Sequence, residues 1–140
     1  MPTCVFCQIV RGEVAAAIVA ETPNTIAFLD HSPVFHGHVL LVPRVHVDTL
    51  DALDPLLIEP LFHEAQRLSI AVRSAMDADG TWVSMNNTVS QSVPHLHIHV
   101  IPRRRKDGLR GFYWPRVKYE NHEELLETAL KIAQTLETRP

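Results

Sequence analysis

Three histidines alternate with apolar residues in the run His95-Leu96-His97-Ile98-His99-Val100-Ile101. Because side chains along a strand alternate between its faces, a strand over residues 93–102 would place the three imidazoles on one face and the apolar residues on the other. Successive residues on such a face are about 6.5–7 Å apart, which lets several imidazoles surround one ion. The run therefore predicts a phosphate or metal site rather than a solvated strand face.

Two chemistries suit this cluster, because neutral imidazole is both a common metal ligand and a good nucleophile near neutral pH. In the first, two of the histidines and a third ligand hold a hydrolytic metal ion that keeps one position open for water. In the second, one histidine attacks phosphorus and forms a covalent intermediate that water hydrolyses, while its neighbours donate to the phosphate oxygens. The residue types and their spacing leave both chemistries open.

The two cysteines of the chain form a Cys4-x-x-Cys7 pair near the amino terminus. That terminus has no basic start followed by an apolar stretch, so no secretory signal is predicted and we expect a cytoplasmic protein. In a reducing compartment the pair indicates half of a zinc site or a redox pair rather than a structural disulfide. A zinc site would need further ligands from elsewhere in the chain.

The hydrophobic pattern predicts strands first, then a helix, then strands and a second helix. The strands are predicted at residues 14–19, 25–29, 38–42, 81–85 and 93–102. The central helix is predicted over residues 55–76, with Pro60 either kinking it or lying in its first turn. The second helix follows Asn121, which with Glu124 resembles a capping box. This order predicts an α+β fold with an antiparallel sheet of about five strands.

The composition is that of a single globular domain over residues 1–140. Hydrophobic residues make up 46% and charged residues 21% of the 140 residues, which suffices for a core without disulfides. The net charge of -3 does not favour nucleic acid or membranes as partners, so an anion site must be local. The longest run of small apolar residues, 14–20, is far shorter than the roughly 20 apolar residues that a membrane span needs.

The histidine run resembles the His-φ-His-φ-His-φ-φ signature of the histidine triad (HIT) superfamily, in which φ is an apolar residue. A second segment, Phe35-His36-Gly37-His38-Val39-Leu40-Leu41-Val42-Pro43-Arg44-Val45-His46, is similar to the family's Gly-His-x-Leu-Val-x-Pro-Lys-x-His. The resemblance spans about residues 4–103 and leaves residues 104–140 as a carboxyl-terminal extension. It implies a HIT-like fold, a homodimer and a purine nucleotide substrate.

The same resemblance implies a separate role for each member of the site. His97 would attack the α-phosphate, His99 would contact the phosphate and aid the leaving group, and His38 would orient the triad. Asp30 would hold the ribose hydroxyls, although by itself it reads as a turn residue. The other implied substrate-binding residues are Asn86, Gln91 and Ser92 at the phosphate, and Phe6, Ile9, Phe28 and Leu29 around the base. Without the resemblance, Phe6, Ile9 and Phe28 read equally well as core.

Cys4, Cys7, His46 and His95 match the structural zinc ligands of one branch of the family. A Cys₂His₂ set suits tetrahedral Zn²⁺. The resemblance thereby divides the histidine run, with His95 bound to a structural metal while His97 and His99 face phosphate. No organic cofactor is implied.

Two segments depart from the family pattern. The loop at residues 86–91 is shorter than the family's and lacks its glycines, so Ser90 stands where a glycine would let the backbone approach a ligand closely. Residues 103–118 combine basic residues with Phe112-Tyr113-Trp114. This segment could be a solvated turn, could bind nucleic acid or polyphosphate, or could select the leaving group in a partner's site. The acidic net charge makes nucleic acid the less favoured of these.

We therefore expect a nucleotide hydrolase or nucleotidyl transferase that releases AMP through a nucleotidyl-histidine intermediate. Dinucleoside polyphosphates, nucleoside phosphoramidates and ADP are the candidate substrates. The alternatives are a nucleotide-binding regulatory or interaction module with negligible turnover, and a hydrolase that depends on a catalytic metal.

Overall fold

The computed structural model describes residues 4–110 and 115–137. In chain order the elements are α1 (Val5–Val10), β1 (Ile18–Glu21), β2 (Thr25–Leu29), β3 (Val39–Pro43), α2 (Ile58–Ala75), β4 (Gly80–Ser84), β5 (Ile98–Arg103) and α3 (His122–Glu137). No helix within the described ranges is long and apolar enough to cross a membrane. The chain divides into two compact units, one ending at Gly108 and the other beginning at Leu109.

The first unit is built on a five-stranded sheet in the order β1-β2-β3-β5-β4. All four neighbouring pairs are antiparallel, which confirms the predicted α+β class. The β2–β3 hairpin ends with the Asp30 amide donating to the His38 carbonyl at 2.9 Å. In the next pair Leu40 lies opposite His99, so the hairpin and β5 bring Asp30, His38 and His99 to one end of the sheet.

The central strands are buried on both faces by two different helices. On one face, Leu61, Leu68 and Val72 of α2 pack with Leu41 and Ile98 of the sheet. On the other face, α1 inserts Phe6 among the remaining apolar residues of β2 and β3, which are Ile26, Phe28, Leu40 and Val42. Because side chains alternate along each strand, one set packs against α2 and the other packs against α1. The helix α1 lies on the face that carries the histidines.

The helix α1 was not predicted, because six residues are too few to show a helical period. Cys4 caps it: its Sγ accepts a hydrogen bond from the Cys7 amide at 3.5 Å. Cysteine is not among the common N-cap residues, so the usual start signal is missing. The helix α2 begins at Ile58, after short 3-10 turns at Leu50–Ala52 and Pro55–Leu57. Pro60 is its third residue, which confirms the first-turn alternative, since a first-turn amide needs no intrahelical acceptor.

The limits of β3 and β4 are each shifted by one residue from the prediction, and two other predicted strands are wrong by more. The first runs over Ile18–Glu21 and not over residues 14–19, because it pairs only with β2, and β2 begins after the turn at residues 22–24. The last begins at Ile98 and not at residue 93. Pro43 of β3 has no N–H to extend the ladder beyond the Leu41–Ile98 pair. The Leu96 amide instead donates to the Val47 carbonyl at 2.7 Å.

The basic segment that follows β5 makes local contacts within the first unit. Arg103 forms an ion pair with Asp107 at 2.6 Å, and the Arg104 guanidinium donates to the Met76 carbonyl. These contacts fit the solvated-turn interpretation for this part of the basic segment. Phe112-Tyr113-Trp114 lie outside the described residues.

In the second unit, α3 has the predicted cap, with the Glu124 amide donating to Asn121 Oδ1 at 2.8 Å. None of the described residues of α3 is buried. A single domain over residues 1–140 stays a prediction.

Candidate active site and metal centre

His97 is buried, and its hydrogen bond identifies the nitrogen that is available for chemistry. Nδ1 lies 2.7 Å from the backbone carbonyl of His95, and because a carbonyl only accepts, Nδ1 carries the proton. In the neutral ring Nε2 then keeps its lone pair. The Phe6 ring meets the imidazole edge-on, with the centroids 5.2 Å apart, which holds the ring in one orientation. This is the arrangement that a nucleophilic histidine requires.

His38 and His99 form a second hydrogen-bonded unit whose tautomers are also determined. The Val34 amide donates to His38 Nδ1 at 3.1 Å, so the proton of neutral His38 is on Nε2. Nε2 in turn donates to His99 Nδ1 at 2.9 Å. The proton of His99 is therefore on Nε2, on the side away from His38. The centroids of the His97 and His99 rings are 4.9 Å apart, so the ring with the free lone pair and the ring with the Nε2 donor are direct neighbours.

Both members of this pair are neutral near pH 7. Burial lowers the pKa of His38, against a smaller opposing effect of Asp30. Burial, with His97 and His38 as further causes, lowers the pKa of His99 to about 4. A protonated His99 would carry a proton on Nδ1 facing the N–H of His38 and would break the hydrogen bond. The low pKa therefore preserves the order of donors and acceptors.

The residues predicted around the base and ribose lie beside the histidines. Phe6 and Phe28 stack edge to face at 5.4 Å, and Ile9 packs against the same apolar cluster. Leu29, which is exposed, ends β2 just before Asp30. The carboxylate of Asp30 lies 3.7 Å from His38 Nδ1, and its Oδ1 accepts from the Ser32 amide at 2.8 Å. Phe6 and Phe28 are core residues, and Phe6 also contacts His97, so a core position does not exclude a place beside the histidines.

The three residues predicted at the phosphate bracket the short loop between β4 and the histidine run. Asn86 and Ser92 are exposed at its two ends, whereas Gln91 is half-buried. The Gln91 amide does not face the histidines, because its Nε2 donates to the Asp48 carbonyl at 2.6 Å. Its Oε1 accepts from the Thr88 amide at 2.9 Å. Thr88 and Ser90 adopt φ of 71° and 60°, so the loop takes the left-handed turns that glycine makes at less cost.

Cys4, Cys7, His46 and His95 come together from three separate segments, with their ligand atoms all within 4.8 Å of one another. The sulfur–nitrogen distances are 3.4 Å for Cys4 and His95, 3.3 Å for Cys7 and His46, and 3.6 Å for Cys7 and His95. Tetrahedral Zn²⁺, with bonds of about 2.3 Å to sulfur and about 2.0–2.1 Å to nitrogen, separates such atoms by about 3.5 Å. The side chains are therefore spaced for this ion.

The outer nitrogens of both histidines are held in the form that metal binding needs. His95 Nε2 donates to the Pro43 carbonyl at 2.9 Å, and His46 Nε2 donates to Asp48 Oδ1 at 2.9 Å. Each ring therefore presents an unprotonated Nδ1 to the cysteines, as metal-ligating histidines do. Burial raises the pKa of the Cys7 thiol, with the Cys4 contact as a further cause, which is opposite to the lowered pKa of a reactive redox cysteine.

Asp30, His38 and His99 also lie close enough to share a metal ion, but their hydrogen bonds do not suit one. His38 accepts from Val34 at Nδ1 and donates to His99 at Nε2. Both nitrogens of the central ring are thus engaged, and the carboxylate lies on the side of the ring away from His99. This group fits proton positioning better than coordination.

The structure adds two contributors that the sequence did not single out. Val34 fixes the tautomer of His38 through its backbone amide, and a backbone group leaves no signal in residue type. Asp48 holds His46 through its carboxylate. A carboxylate two residues after a ligand histidine was the available signal for this contact.

Comparison with known proteins places the chain in a family. A model of the HIT domain matches residues 11–106. Protein hit of Bacillus subtilis is 32% identical over 136 residues, which cover 95% of this chain and 94% of that protein. The chain therefore belongs to the HIT family, as its histidine run predicts.

Two further relatives are named for enzymatic activities. An adenylylsulfatase of Arabidopsis thaliana is 34% identical over 108 residues, covering 76% of this chain and 55% of that protein. An adenosine 5'-monophosphoramidase of Candida albicans is 28% identical over 142 residues, covering 93% of each chain. The family to which this chain belongs thus includes nucleotide hydrolases.

Solved structures of the family confirm the fold. A HIT family protein of Bacillus subtilis superimposes with a TM-score of 0.86 at 32% identity, covering 94% of this chain and 96% of that one. A zinc-bound histidine triad family protein of Mycobacterium smegmatis matches with a TM-score of 0.73 at 32% identity, covering 96% and 97%.

Proposed function

We propose that this protein hydrolyses purine nucleotides at the α-phosphate and releases AMP through a covalent intermediate on His97. The observation that carries the proposal is the hydrogen bond from His97 Nδ1 to the His95 carbonyl, which leaves the Nε2 lone pair free for attack. The candidate substrates are dinucleoside polyphosphates, nucleoside phosphoramidates and ADP. The name of the Arabidopsis relative adds adenylyl sulfate.

The reaction has two steps. In the first, the Nε2 lone pair of His97 forms a bond to the α-phosphorus, and the bond from phosphorus to the leaving group breaks with its electron pair. In the second, a water oxygen attacks the phosphorus, the bond to Nε2 breaks, and a proton from the water passes to solvent as AMP leaves. His99 donates from Nε2 to the phosphoryl group or the leaving group, and His38 holds it in that tautomer. Splitting the displacement in this way is the advantage of nucleophilic catalysis.

The remaining predicted residues complete the proposal. Asp30 offers two acceptor oxygens to the ribose diol, and the apolar wall of Phe6, Ile9, Phe28 and Leu29 takes the purine. Asn86, Ser92 and the Gln91 backbone contact the phosphate oxygens.

A substrate panel scored for AMP release tests the function. The wild type is incubated with each candidate, and acid-labile adenylylation is mapped to a residue by mass spectrometry under mildly basic conditions. We expect adenylylated His97 and its absence in His97→Ala, which should retain AMP binding. His63→Ala, which removes an exposed α2 histidine, is the matched control. Wild-type protein that binds AMP but turns over no substrate would favour the binding-module alternative.

We also propose a structural Zn²⁺ held by Cys4, Cys7, His46 and His95. The ligand spacing and the two outer hydrogen bonds support it. Metal analysis of purified protein should give one zinc per chain, and Cys7→Ser should lower that ratio. Full kcat at saturating substrate is expected after chelation of a still folded protein, because this metal lies outside the reacting group. Loss of kcat that added zinc restored would favour the metal-dependent alternative.

A homodimer in the cytoplasm is the remaining part of the proposal. β4 is an edge strand of the sheet, and Phe62, Ile70 and Val83 on α2 and β4 are exposed apolar residues. An unpaired edge next to such residues is suited to pairing with a second copy. Light scattering coupled to size exclusion should report twice the chain mass, and Val83→Lys should reduce it to the mass of one chain.

A further inference from the structure

We propose that Gln91 is a positioning residue that ties the phosphate loop, residues 86–92, to the metal centre through Asp48. The inference rests on the proposed function, in which this loop contacts the phosphate. Gln91 Nε2 donates to the Asp48 carbonyl at 2.6 Å, and the Asp48 carboxylate accepts from His46 Nε2 at 2.9 Å. One residue thus holds a metal ligand with its side chain and the loop with its backbone.

The loop needs such support because its backbone is strained. Thr88 has a φ of 71° and Ser90 a φ of 60°, values that are uncommon for any residue other than glycine and rare for a β-branched residue such as threonine. Strained conformations persist only where the surroundings hold them. Gln91 Oε1 accepts from the Thr88 amide at 2.9 Å, so the side chain that reaches Asp48 also braces the strained turn.

A second hydrogen bond fastens the loop to the same segment. The Leu50 amide donates to Asn87 Oδ1 at 2.8 Å, two residues beyond Asp48. Both anchors of the loop therefore lie on the stretch that follows His46. Within this stretch the Leu96 amide already donates to the Val47 carbonyl at 2.7 Å, and a metal ion on the exposed His46 would hold the stretch at a second point.

The consequence is a coupling between two ligands. A metal ion on His46 orders the stretch from His46 to Leu50, this stretch orders the loop, and the ordered loop binds the nucleotide phosphate more tightly. Coupling of binding free energies is reciprocal, so AMP must hold the metal more tightly in the same proportion. The side chain of Gln91 thus acts through Asp48 and the loop, and this side chain makes no direct contact with the phosphate in this role.

Zinc affinity measured with and without AMP tests the inference on the zinc-loaded protein. Equilibrium competition for zinc with a chromophoric chelator is measured for the wild type, for Gln91→Met and for Gln66→Met, with AMP saturating for each. Gln91→Met keeps length and neutrality but removes the donor and the acceptor, and Gln66→Met makes the same change at an exposed position of α2. We expect AMP to lower the zinc dissociation constant at least about 5-fold in the wild type and in Gln66→Met, and by less than half that factor in Gln91→Met.

Calorimetric titration with AMP supplies the second measurement. Gln91→Met should bind AMP at least about 5-fold more weakly than the wild type when both hold zinc. Asp48→Ala, which keeps the carbonyl that Gln91 uses, should bind zinc more weakly and retain part of the AMP affinity. An equal effect of AMP on the zinc dissociation constant in the wild type and Gln91→Met would overturn this inference alone. Failure of the wild type to bind AMP would overturn the proposed function together with it.

Discussion

The hydrogen bonds around single imidazoles decide what each histidine of the run can do. His95 presents Nδ1 to the cysteines, His97 is left with a free Nε2, and His99 is left with an Nε2 proton. Three residues of one type thus differ in role because each has a different partner at its other nitrogen. The partners are a carbonyl, a second carbonyl and a histidine.

Replacement of His38 should separate catalysis from binding. His38→Gln removes the ring whose Nε2 donates to His99 Nδ1, so His99 is no longer held in one tautomer. We expect kcat for AMP release to fall by about 10²-fold, within the range of acid–base contributions, while the AMP dissociation constant changes less than about 3-fold. His36→Gln, an exposed neighbour, is the control. An unchanged kcat in His38→Gln would contradict the role of this hydrogen bond.

The lowered pKa of His99 predicts how stability depends on pH. The folded value is about 4 against 6.5 for the ordinary group, so between these values the unfolded chain binds a proton that the folded protein does not. The stability gained by keeping the imidazole neutral is present above pH 6.5 and is lost as the pH falls toward 4. Through this one group, the free energy of unfolding changes by at most about 1.4 kcal/mol per pH unit.

Urea denaturation at several pH values between 4.5 and 7 measures this slope. His99→Asn should unfold with a shallower pH dependence than the wild type, because it removes one of the histidines whose pKa is lowered. His63→Asn should keep the wild-type slope. Parallel curves for wild type and His99→Asn would contradict the assignment.

At the scale of elements, the β2–β3 hairpin and α2 meet at a contact that only glycine permits. Gly37 has a φ of +95°, and a Cβ built there would lie 2.6 Å from Met76 Cγ at the end of α2. The residue after it is His38. The contact therefore sets how closely the end of α2 approaches the hairpin that carries the site.

Gly37→Ala should be more destabilising than a matched change at a site with open space. Both Gly37 and Gly12 have positive φ, +95° and +74°, but a Cβ at Gly12 would meet no atom within 4 Å. Gly12→Ala should cost about 1–2 kcal/mol for the backbone alone, and Gly37→Ala a further 1–3 kcal/mol or so for overpacking. Chemical denaturation measures both. The double variant Gly37→Ala with Met76→Ala should recover the free energy that Gly37→Ala loses through overpacking. If the destabilisations of the two single variants simply added in the double variant, the steric cause would be excluded.

At the scale of the whole molecule, the four side chains of the candidate metal site come from segments that are distant in sequence. The ligands come from the start of the chain, from the loop after β3 and from the approach to β5. α1 has six residues, too few to be stable by itself. A metal ion that holds Cys4 and Cys7 would therefore keep Phe6 against the site as well as closing the fold.

Chelation of the metal should lower the stability of the first unit. A ligand that binds only the folded state at a thousand times its dissociation constant contributes about 4 kcal/mol. We expect a loss of that order in the free energy of unfolding, measured by denaturant titration with and without a strong chelator. Cys7→Ser should resemble the chelated protein and show no further loss with chelator. A chelator effect of equal size in Cys7→Ser would exclude this site as its source.

The sequence alone was enough to determine the family and the fold class. An alternating run of histidines beside apolar residues is a local pattern, and β2, α2 and the cap of α3 follow from equally local signals. The alternation itself holds: Leu96, Ile98 and Val100 pack with α2, while His95 and His97 meet Phe6 on the other face.

Only the tertiary structure decided which nitrogen of each histidine carries its proton and where the amide of Gln91 points. The first depends on the carbonyls of His95 and Pro43 and the amide of Val34, and backbone groups are present at every residue. The limits of the last strand depend on Pro43, which is distant in sequence but adjacent in the sheet. These features depend on which groups meet in space, and neither residue type nor local period specifies that.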